Sequence, residues 1–391
     1  MVEFVVQTLK SEGFEPVIAH YEPYSVTPRL SVPSFRLLTQ TVKHEARVSH
    51  GDVETHAIGA WLPELEFTHY LPTAAWRTVM DSCDAFIVAS GNSLASTPFH
   101  HTDRPYLAWI ATDWWGDRAD RTKHFPLFRL LLDRFVNRAV ITRLEKRLLK
   151  GGVTLALSQH TKQQLIRLQP RLSADILPVP VSTARFIPKP GATAVARIGF
   201  AGRYDDPRKN IDLLFSAFGL VVAQRSDAVL SLIGGIDTAA IRSRAAQHGL
   251  VDNIQVSGRL DDARYVEALQ RLDVFVVPSH QEGLCIAALE AMACGVPVVS
   301  TRCGGPEEFV EDGVTGYQCA FDATDLAEKV LRIVADRALR ARLGEGARAR
   351  VEAQYSAASA KAVLLRGFYS TFPQLRVAKD EGSADLRERS S

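Results

Sequence analysis

The chain is short of cysteine, of long apolar runs and of net charge, and each shortage excludes a class of protein. Five cysteines stand among 391 residues and no two form a C-x-x-C pair, so neither a disulfide framework nor a zinc site is indicated. No apolar run reaches the roughly 18 residues of a membrane-spanning helix, and the first residues lack the regions of a signal peptide. The net charge of +2, without a dominant charged tail, gives no argument for a nucleic-acid partner. We therefore predict a reduced, cytoplasmic protein that does not bind nucleic acid.

The composition that remains is that of an ordinary globular α/β chain. Hydrophobic residues make up 46% and charged residues 23% of the sequence, and the length accommodates two domains. In the second half, short apolar segments alternate with helical lengths, which predicts a parallel, doubly wound sheet. Its strands are predicted at 196–201, 229–233, 254–256, 274–277 and 297–300. The first half follows the same pattern more loosely. Its predicted elements are a helix at 2–9, strands at 15–19, 85–89, 106–111 and 153–157, and a helix at 127–150.

Prolines punctuate residues 178–190 and interrupt the periodic patterns on either side, so this segment is predicted to be a linker. It separates an N-terminal domain, 1–177, from a C-terminal domain, 191–348. Residues 349–375 are predicted to be helical, and the charged residues 376–391 are predicted to be a disordered tail.

Two glutamates with seven residues between them form the most informative motif. Glu282 follows the predicted strand at 274–277, and Glu290 lies in an apolar helix that is predicted to end at Gly295. The carboxyl edge of a parallel sheet is where ligands bind, and a helix start offers free N–H groups to phosphate or sugar oxygens. Glu290, about two turns along the helix, is expected to turn back over the same cleft. This arrangement favours a hydroxyl-rich, anionic ligand.

Two further segments follow strands of the same predicted sheet. Arg203 and Lys209 lie in the loop at 202–210, and an arginine fork with a lysine point charge suits a diphosphate; the alternative is a solvated basic loop. The turn at 257–260 either pairs with a nucleotide base through its backbone or simply connects a strand to a helix.

Together these segments resemble the family-4 retaining glycosyltransferases. The resemblance covers about residues 178–355 and rests on E-G-x6-E-A-M-A-C-G-V-P-V-V at 282–299, G-R-x5-K-N at 202–210 and the linker at 177–188. It implies an α/β protein of GT-B architecture, in which two Rossmann-like domains face a central cleft. Relatives begin with a strand and a glycine-rich loop, whereas this chain begins on a predicted helix, so the N-terminal domain is expected to lack its first strand.

The resemblance also assigns roles in binding the donor. It implies that Glu282 and the backbone N–H groups of Gly283, Leu284 and Cys285 hold the hydroxyls of the donor sugar. Glu290 would take the ribose hydroxyls.

The remaining donor contacts fall on the basic loop and on the turn. Arg203 and Lys209 would stabilise the departing diphosphate, and the backbone around Arg259 and Leu260 would recognise the base. No D-x-D occurs in the chain, so neither a divalent metal nor another cofactor is expected.

The implied reaction is hexosyl transfer, with retention, from a UDP- or GDP-sugar to a glycan, a glycolipid or a small molecule. The C-terminal domain would bind the nucleotide sugar, the N-terminal domain the acceptor, and the helix at 349–375 would cross back to the N-terminal domain. Two alternatives stay open: a nucleotide-sugar epimerase of the same fold, and a non-catalytic subunit that binds nucleotide sugar.

The N-terminal half departs from the family at one position that matters. Relatives commonly place a histidine at the end of an N-domain strand near the donor sugar, and Asp113 stands at about that place. It either orients acceptor or sugar hydroxyls or caps a turn. The following Trp114-Trp115 is either a sugar-stacking platform or part of the core. Residues 118–150 carry ten basic residues against three acidic ones, which favours either weak peripheral contact with anionic lipid or a solvated helix face.

Overall fold

The computed structural model describes residues 1–49, 52–65, 68–100, 102–114, 138–189, 195–235 and 238–376. The elements of the first half are α1 (Val2–Ser11), β1 (Ile18–Tyr21), β2 (His44–Ser49), β3 (Val53–Ile58), α2 (Ala74–Asp81), β4 (Ile87–Ser90), β5 (Leu107–Ile110), α3 (Arg138–Gly151), β6 (Val153–Ala156), α4 (Gln159–Leu168) and β7 (Ala174–Ile176). Those of the second half are β8 (Arg197–Ala201), α5 (Ile211–Gln224), β9 (Val229–Ile233), α6 (Thr238–Gln247), β10 (Ile254–Gly258), α7 (Asp262–Gln270), β11 (Val274–Val277), α8 (Ile286–Ala293), β12 (Val298–Thr301), β13 (Gly316–Cys319), α9 (Ala323–Ala335), α10 (Arg337–Gln354) and α11 (Ala357–Thr371).

The second half is built on a six-stranded sheet in the order β10-β9-β8-β11-β12-β13, in which every neighbouring pair is parallel. All four residues of β11, Val-Phe-Val-Val, are buried, as expected for a strand covered by helices on both faces. The strand order reverses between β8 and β11. A crevice forms outside the carboxyl ends of the strands at such a reversal, so the fold places the loops that follow β8 and β11 side by side. The predicted doubly wound sheet is confirmed.

The first half contains two sheets rather than one. A four-stranded parallel sheet has the order β4-β5-β6-β7, and a three-stranded mixed sheet has the order β1-β3-β2. Among the described residues, β1 and β4 each pair along one edge only, and Ile18 and Ile87 on these strands line a common cavity of about 440 Å³. The first described element is the helix α1, as predicted, and the missing first strand stays a prediction.

The predictions for the first half need several corrections. The strand predicted at 15–19 lies at Ile18–Tyr21, and no prediction covered the antiparallel hairpin of β2 and β3 or the short β7. Of the helix predicted at 127–150, residues 138–150 are helical in α3, and 127–137 lie outside the described residues. The same holds for 118–126 of the basic stretch, for Trp115, for residue 190 of the linker and for 377–391 of the tail.

Helices from the end of the chain connect the two halves. Gly367 of α11 lies against Leu107 of β5 and Leu155 of β6, and the Nζ of Lys361 is 2.8 Å from the Oε1 of Glu12. Arg348 of α10 donates hydrogen bonds to the carbonyls of Thr183 and Phe186 in the linker and of Ala293 at the end of α8. One buried apolar cluster runs from Trp109 and Leu155 to Phe275 and Leu289. The division at 177 and 191 stays a prediction.

Candidate functional site

The loop after β8 carries two arginines on one buried carboxylate. The Nη2 of Arg203 lies 2.8 Å from the Oδ2 of Asp206, and Arg208 donates its backbone N–H and two guanidinium N–H groups to the same side chain. Burial opposes the ionisation of Asp206, but Arg208 and Arg203 outweigh it and lower the pKa of Asp206 to about 2. Asp206 therefore stays ionised and holds both guanidinium groups near the carboxyl edge of the sheet.

Lys209 of the same loop forms an ion pair with Glu282, which lies in the loop after β11. The distance from Nζ to Oε1 is 2.7 Å, and the side chains are only 18% and 11% exposed. Burial lowers the pKa of Lys209, but the charges of Glu282 and its neighbours prevail and raise it. Glu282 also accepts a hydrogen bond of 2.6 Å from the Oγ of Ser279. The structure thus brings two of the predicted site residues together from positions 73 residues apart.

The three residues after Glu282 carry backbone N–H groups at the start of α8. The backbone N–H groups of Gly283, Leu284 and Cys285 have no backbone acceptor within the described ranges. Cys285 is the N-cap of α8, and its positive φ of 66° turns the chain into that helix. Backbone hydrogen bonds hold this loop in place: the N–H of Glu282 donates to the carbonyl of Cys303, and the carbonyl of Glu282 accepts from the N–H of Gly305. A row of free donors at a helix start suits the oxygens of an anion or a sugar.

Glu290 lies within α8, and its hydrogen-bond partner is a phenol that the sequence did not single out. Its Oε2 accepts a hydrogen bond of 2.6 Å from the hydroxyl of Tyr265 on α7. Burial raises the pKa of Glu290, opposed by Tyr265 and by the charge of Arg185 in the linker.

The turn predicted to meet a base follows β10. Gly258 has a φ of 62° and its carbonyl accepts from the N–H of Gly234, 2.7 Å away, in the turn after β9. Arg259 is exposed and Leu260 is half-buried. Both lie at the carboxyl edge of the sheet, two strands from the Arg203 loop.

On the N-terminal side, Asp113 follows β5 and is buried. It lies close to Glu145 of α3, which accepts hydrogen bonds from the Oγ of Ser93 (2.8 Å) and the backbone N–H of Trp114 (3.1 Å). Burial raises the pKa of Glu145 to about 7, with Ser93 and Trp114 opposing and Asp113 adding to the rise. Trp114 is part of the core, with Leu94 and Ile141, so it is not an exposed stacking platform.

The carboxyl edges of the two parallel sheets meet at this site. The carbonyl of Ala111, at the end of β5, lies against Gly283 and accepts a hydrogen bond of 2.7 Å from the Oγ1 of Thr161. The backbone N–H of His160, at the start of α4, donates to the Oε1 of Glu308 over 2.9 Å. These contacts bring the loops after β5 and β11 and the start of α4 together, and Asp113 lies two residues after Ala111 in the loop that follows β5.

The described residues lack two features, a cluster of metal ligands and a membrane-spanning helix. They contain no group of three or more histidines, cysteines or acidic residues that could hold a metal ion. None of their helices is both long enough and apolar enough to cross a membrane.

The two parallel sheets meet at their carboxyl edges, where a cationic loop follows β8 and Glu282 precedes α8. This arrangement defines a GT-B-type fold. Structural comparison agrees. The fold matches sucrose-phosphate synthase from Thermosynechococcus elongatus with a TM-score of 0.74 and 20% identity, over 96% of this chain and 93% of that one. It also matches HepE from Anabaena in complex with UDP, with a TM-score of 0.64 and 16% identity, over 82% and 87% of the two chains.

The sequence family follows from residues 189–350, which match the family described as Glycosyl transferases group 1. This match covers about two fifths of the chain and agrees with the resemblance to glycosyltransferases seen in the sequence. Phosphatidyl-myo-inositol mannosyltransferase of Mycobacterium leprae is 32% identical over 179 residues, 44% of this chain and 47% of the relative.

A GDP-mannose-dependent phosphatidylinositol monomannoside mannosyltransferase of Corynebacterium glutamicum is 34% identical over 158 residues, 38% of this chain and 41% of the relative. N-acetyl-alpha-D-glucosaminyl L-malate synthase of Bacillus anthracis is 33% identical over 149 residues, 38% of each protein. The chain thus spans less than half the length of these curated relatives.

Proposed function

We propose that this protein is a retaining glycosyltransferase that moves a sugar from a nucleotide diphosphate sugar to an acceptor. The observation that carries the proposal is the buried pair of Lys209 and Glu282 at the strand-order reversal, beside three free backbone N–H groups. A cation and a carboxylate held 2.7 Å apart offer a phosphate its counter-charge and a sugar hydroxyl its acceptor within one crevice.

Binding of the donor would rearrange this pair. The diphosphate carries more negative charge than one carboxylate, so it competes for Lys209 and draws its ammonium away from Glu282. The Oε1 of Glu282 keeps its hydrogen bond from Ser279, and without Lys209 the carboxylate accepts a hydroxyl of the sugar, while the N–H groups of residues 283–285 complete the sugar contacts. Lys209 and Glu282 thus each exchange one partner for another, and neither buried charge is left unpaired.

The leaving group gains negative charge as the glycosidic bond breaks. Lys209 and Arg203 are fixed cations on the side where that charge develops, so they stabilise the transition state more than the bound donor. The departing diphosphate oxygen accepts the proton of the acceptor hydroxyl, which enters from the same face and gives retention. These two side chains supply the counter-charge in this proposal, which therefore includes turnover without a metal.

The donor is proposed to be a UDP- or GDP-sugar. One relative is described as GDP-mannose-dependent, and the matching HepE structure holds UDP, which supports both bases. Glu290 would bind the ribose, and the backbone of Arg259 and Leu260 the base. The acceptor, a glycan, a glycolipid or a small molecule, would lie on the side of Asp113.

The decisive experiment measures binding of UDP, GDP and their hexose conjugates by calorimetry in EDTA, followed by release of nucleotide with an acceptor pool. We expect saturable binding of one nucleotide, with turnover lost in Arg203→Ala and Lys209→Ala. Arg225→Ala is the matched control, because Arg225 pairs with Asp227 on the exposed surface of the same sheet domain. Absence of binding to any nucleotide by the folded protein would refute the proposal.

Weak contact with anionic membranes is part of the same proposal. Helix α3 exposes Arg143, Lys146, Arg147 and Lys150, whereas its one acidic residue, Glu145, is buried. Such a face attracts anionic lipid headgroups. Co-sedimentation with vesicles containing phosphatidylserine should exceed that with phosphatidylcholine vesicles, and Lys146→Glu with Arg147→Glu should abolish the difference. Equal sedimentation with both vesicle types would contradict this contact.

A further inference from the structure

Tyr265 is the residue that holds the second glutamate of the site. Its ring lies edge-on against Phe186 of the linker, with centroids 6.2 Å apart and planes at 88°. Its hydroxyl donates to the Oε2 of Glu290 over 2.6 Å. The helix that carries Tyr265, α7, is capped by Asp261, whose side chain accepts a hydrogen bond from the backbone N–H of Arg264. The phenol is thus fixed both by its own helix and by the linker.

Glu290 depends on this contact. Among the described residues, Tyr265 is the hydrogen-bond partner of its carboxylate, and the charged groups near it are Arg185 of the linker and Asp262 of α7. A carboxylate removed from water needs hydrogen bonds to remain ionised in one orientation. With Oε2 engaged by the phenol, Oε1 is left to accept a hydroxyl from a ligand.

We propose that Tyr265 is a positioning residue: it orients the carboxylate of Glu290 to accept hydrogen bonds from the ribose hydroxyls. Through this pair the protein binds ribonucleotides more tightly than deoxyribonucleotides. The inference rests on the proposed function, since it requires a nucleotide in the crevice. It adds a specificity determinant that the spacing of the two glutamates does not contain, because Tyr265 comes from a different helix.

The test separates ribose reading from general packing. Calorimetry would compare UDP and GDP with their 2′,3′-dideoxy counterparts in the wild type, in Tyr265→Phe and in Glu290→Gln. A hydrogen bond to a charged group is worth about tenfold in affinity. We therefore expect the ribo-to-dideoxy affinity ratio to fall by about tenfold in Tyr265→Phe, while affinity for the dideoxy nucleotide changes by less than about twofold. Loss of packing alone would weaken both nucleotides equally.

The matched control is Tyr369→Phe, because the buried hydroxyl of Tyr369 has no hydrogen-bond partner in the described structure; it should keep the wild-type ratio. If Tyr265→Phe folds poorly, Glu290→Gln tests the same inference, since the phenol stays and the carboxylate charge goes. An unchanged ratio in Tyr265→Phe overturns this inference and leaves the proposed function standing. An unchanged ratio in Glu290→Gln, or a wild-type ratio of one, overturns it together with the ribose role proposed for Glu290, and leaves the proposed sugar transfer standing. Failure of the wild type to bind any nucleotide overturns both.

Discussion

Replacing Lys209 by methionine tests the geometry of the site without any ligand. Methionine keeps most of the length of the side chain and removes its charge, which leaves Glu282 at 11% exposure without its counter-ion. At 2.7 Å and an effective dielectric constant of about 20, the attraction in the pair amounts to roughly 6 kcal/mol before the cost of removing both charges from water. That cost cancels much of the gain.

Removing one partner of a buried pair typically costs about 3–5 kcal/mol. The hydrogen bond from Ser279 still satisfies Glu282 in part, so we expect Lys209→Met to lower the free energy of unfolding by about 3 kcal/mol. Adding Glu282→Gln removes the unpaired charge, and the double variant should lie only about 1 kcal/mol below the wild type.

Chemical denaturation followed by circular dichroism measures all four proteins of this cycle. The matched control is Arg271→Met, which breaks an ion pair with Glu267 whose side chains are 64% and 47% exposed and should cost less than about 0.5 kcal/mol. A Lys209→Met variant as stable as this control, or a double variant equal to the sum of the singles, would refute the argument that the two charges are buried and coupled.

Three further predictions follow from the same contacts. Glu145 has a pKa raised to about 7 in the folded protein, so the stability that its protonated form contributes is fully present below about pH 4.5 and is lost as pH rises through 7. Glu145→Gln should remove this dependence: between pH 5 and 8 its unfolding free energy should rise relative to that of the wild type by roughly 3 kcal/mol. Parallel pH profiles of the two proteins would contradict this prediction. Gly305→Ala would place a Cβ 2.4 Å from the carbonyl oxygen of Gly283, so the loop must shift. We expect affinity for a nucleotide sugar to fall at least about tenfold, while binding of the free nucleotide stays nearly intact. The control, Gly219→Ala, places a Cβ that meets no atom within 4 Å and should bind like the wild type. Arg203→Ala should lower kcat about a hundredfold with a smaller change in KM, because its contact strengthens as the diphosphate leaves; a pure KM effect in steady-state kinetics would place Arg203 in ground-state binding instead.

The sequence predicted those elements whose signal is local. Buried parallel strands are continuous β-branched runs, as in β11, and they were placed to within one or two residues. The end of α8 was predicted from Gly295, which adopts a φ of 76° in the structure. Strands without such a signal were not predicted: the hairpin of β2 and β3 is rich in polar residues, β7 has three residues, and β13 begins at a glycine.

The sequence by itself therefore determined the doubly wound C-terminal sheet and the positions of Glu282, Lys209 and Glu290 within it. Only the tertiary structure decided which of these side chains meet. Lys209 pairs with Glu282 across 73 residues and Glu290 with Tyr265 across 25. The reason is physical: strand and helix periodicity fix where a side chain leaves its own element, whereas the strand order and the packing of helices on the sheet fix its neighbour.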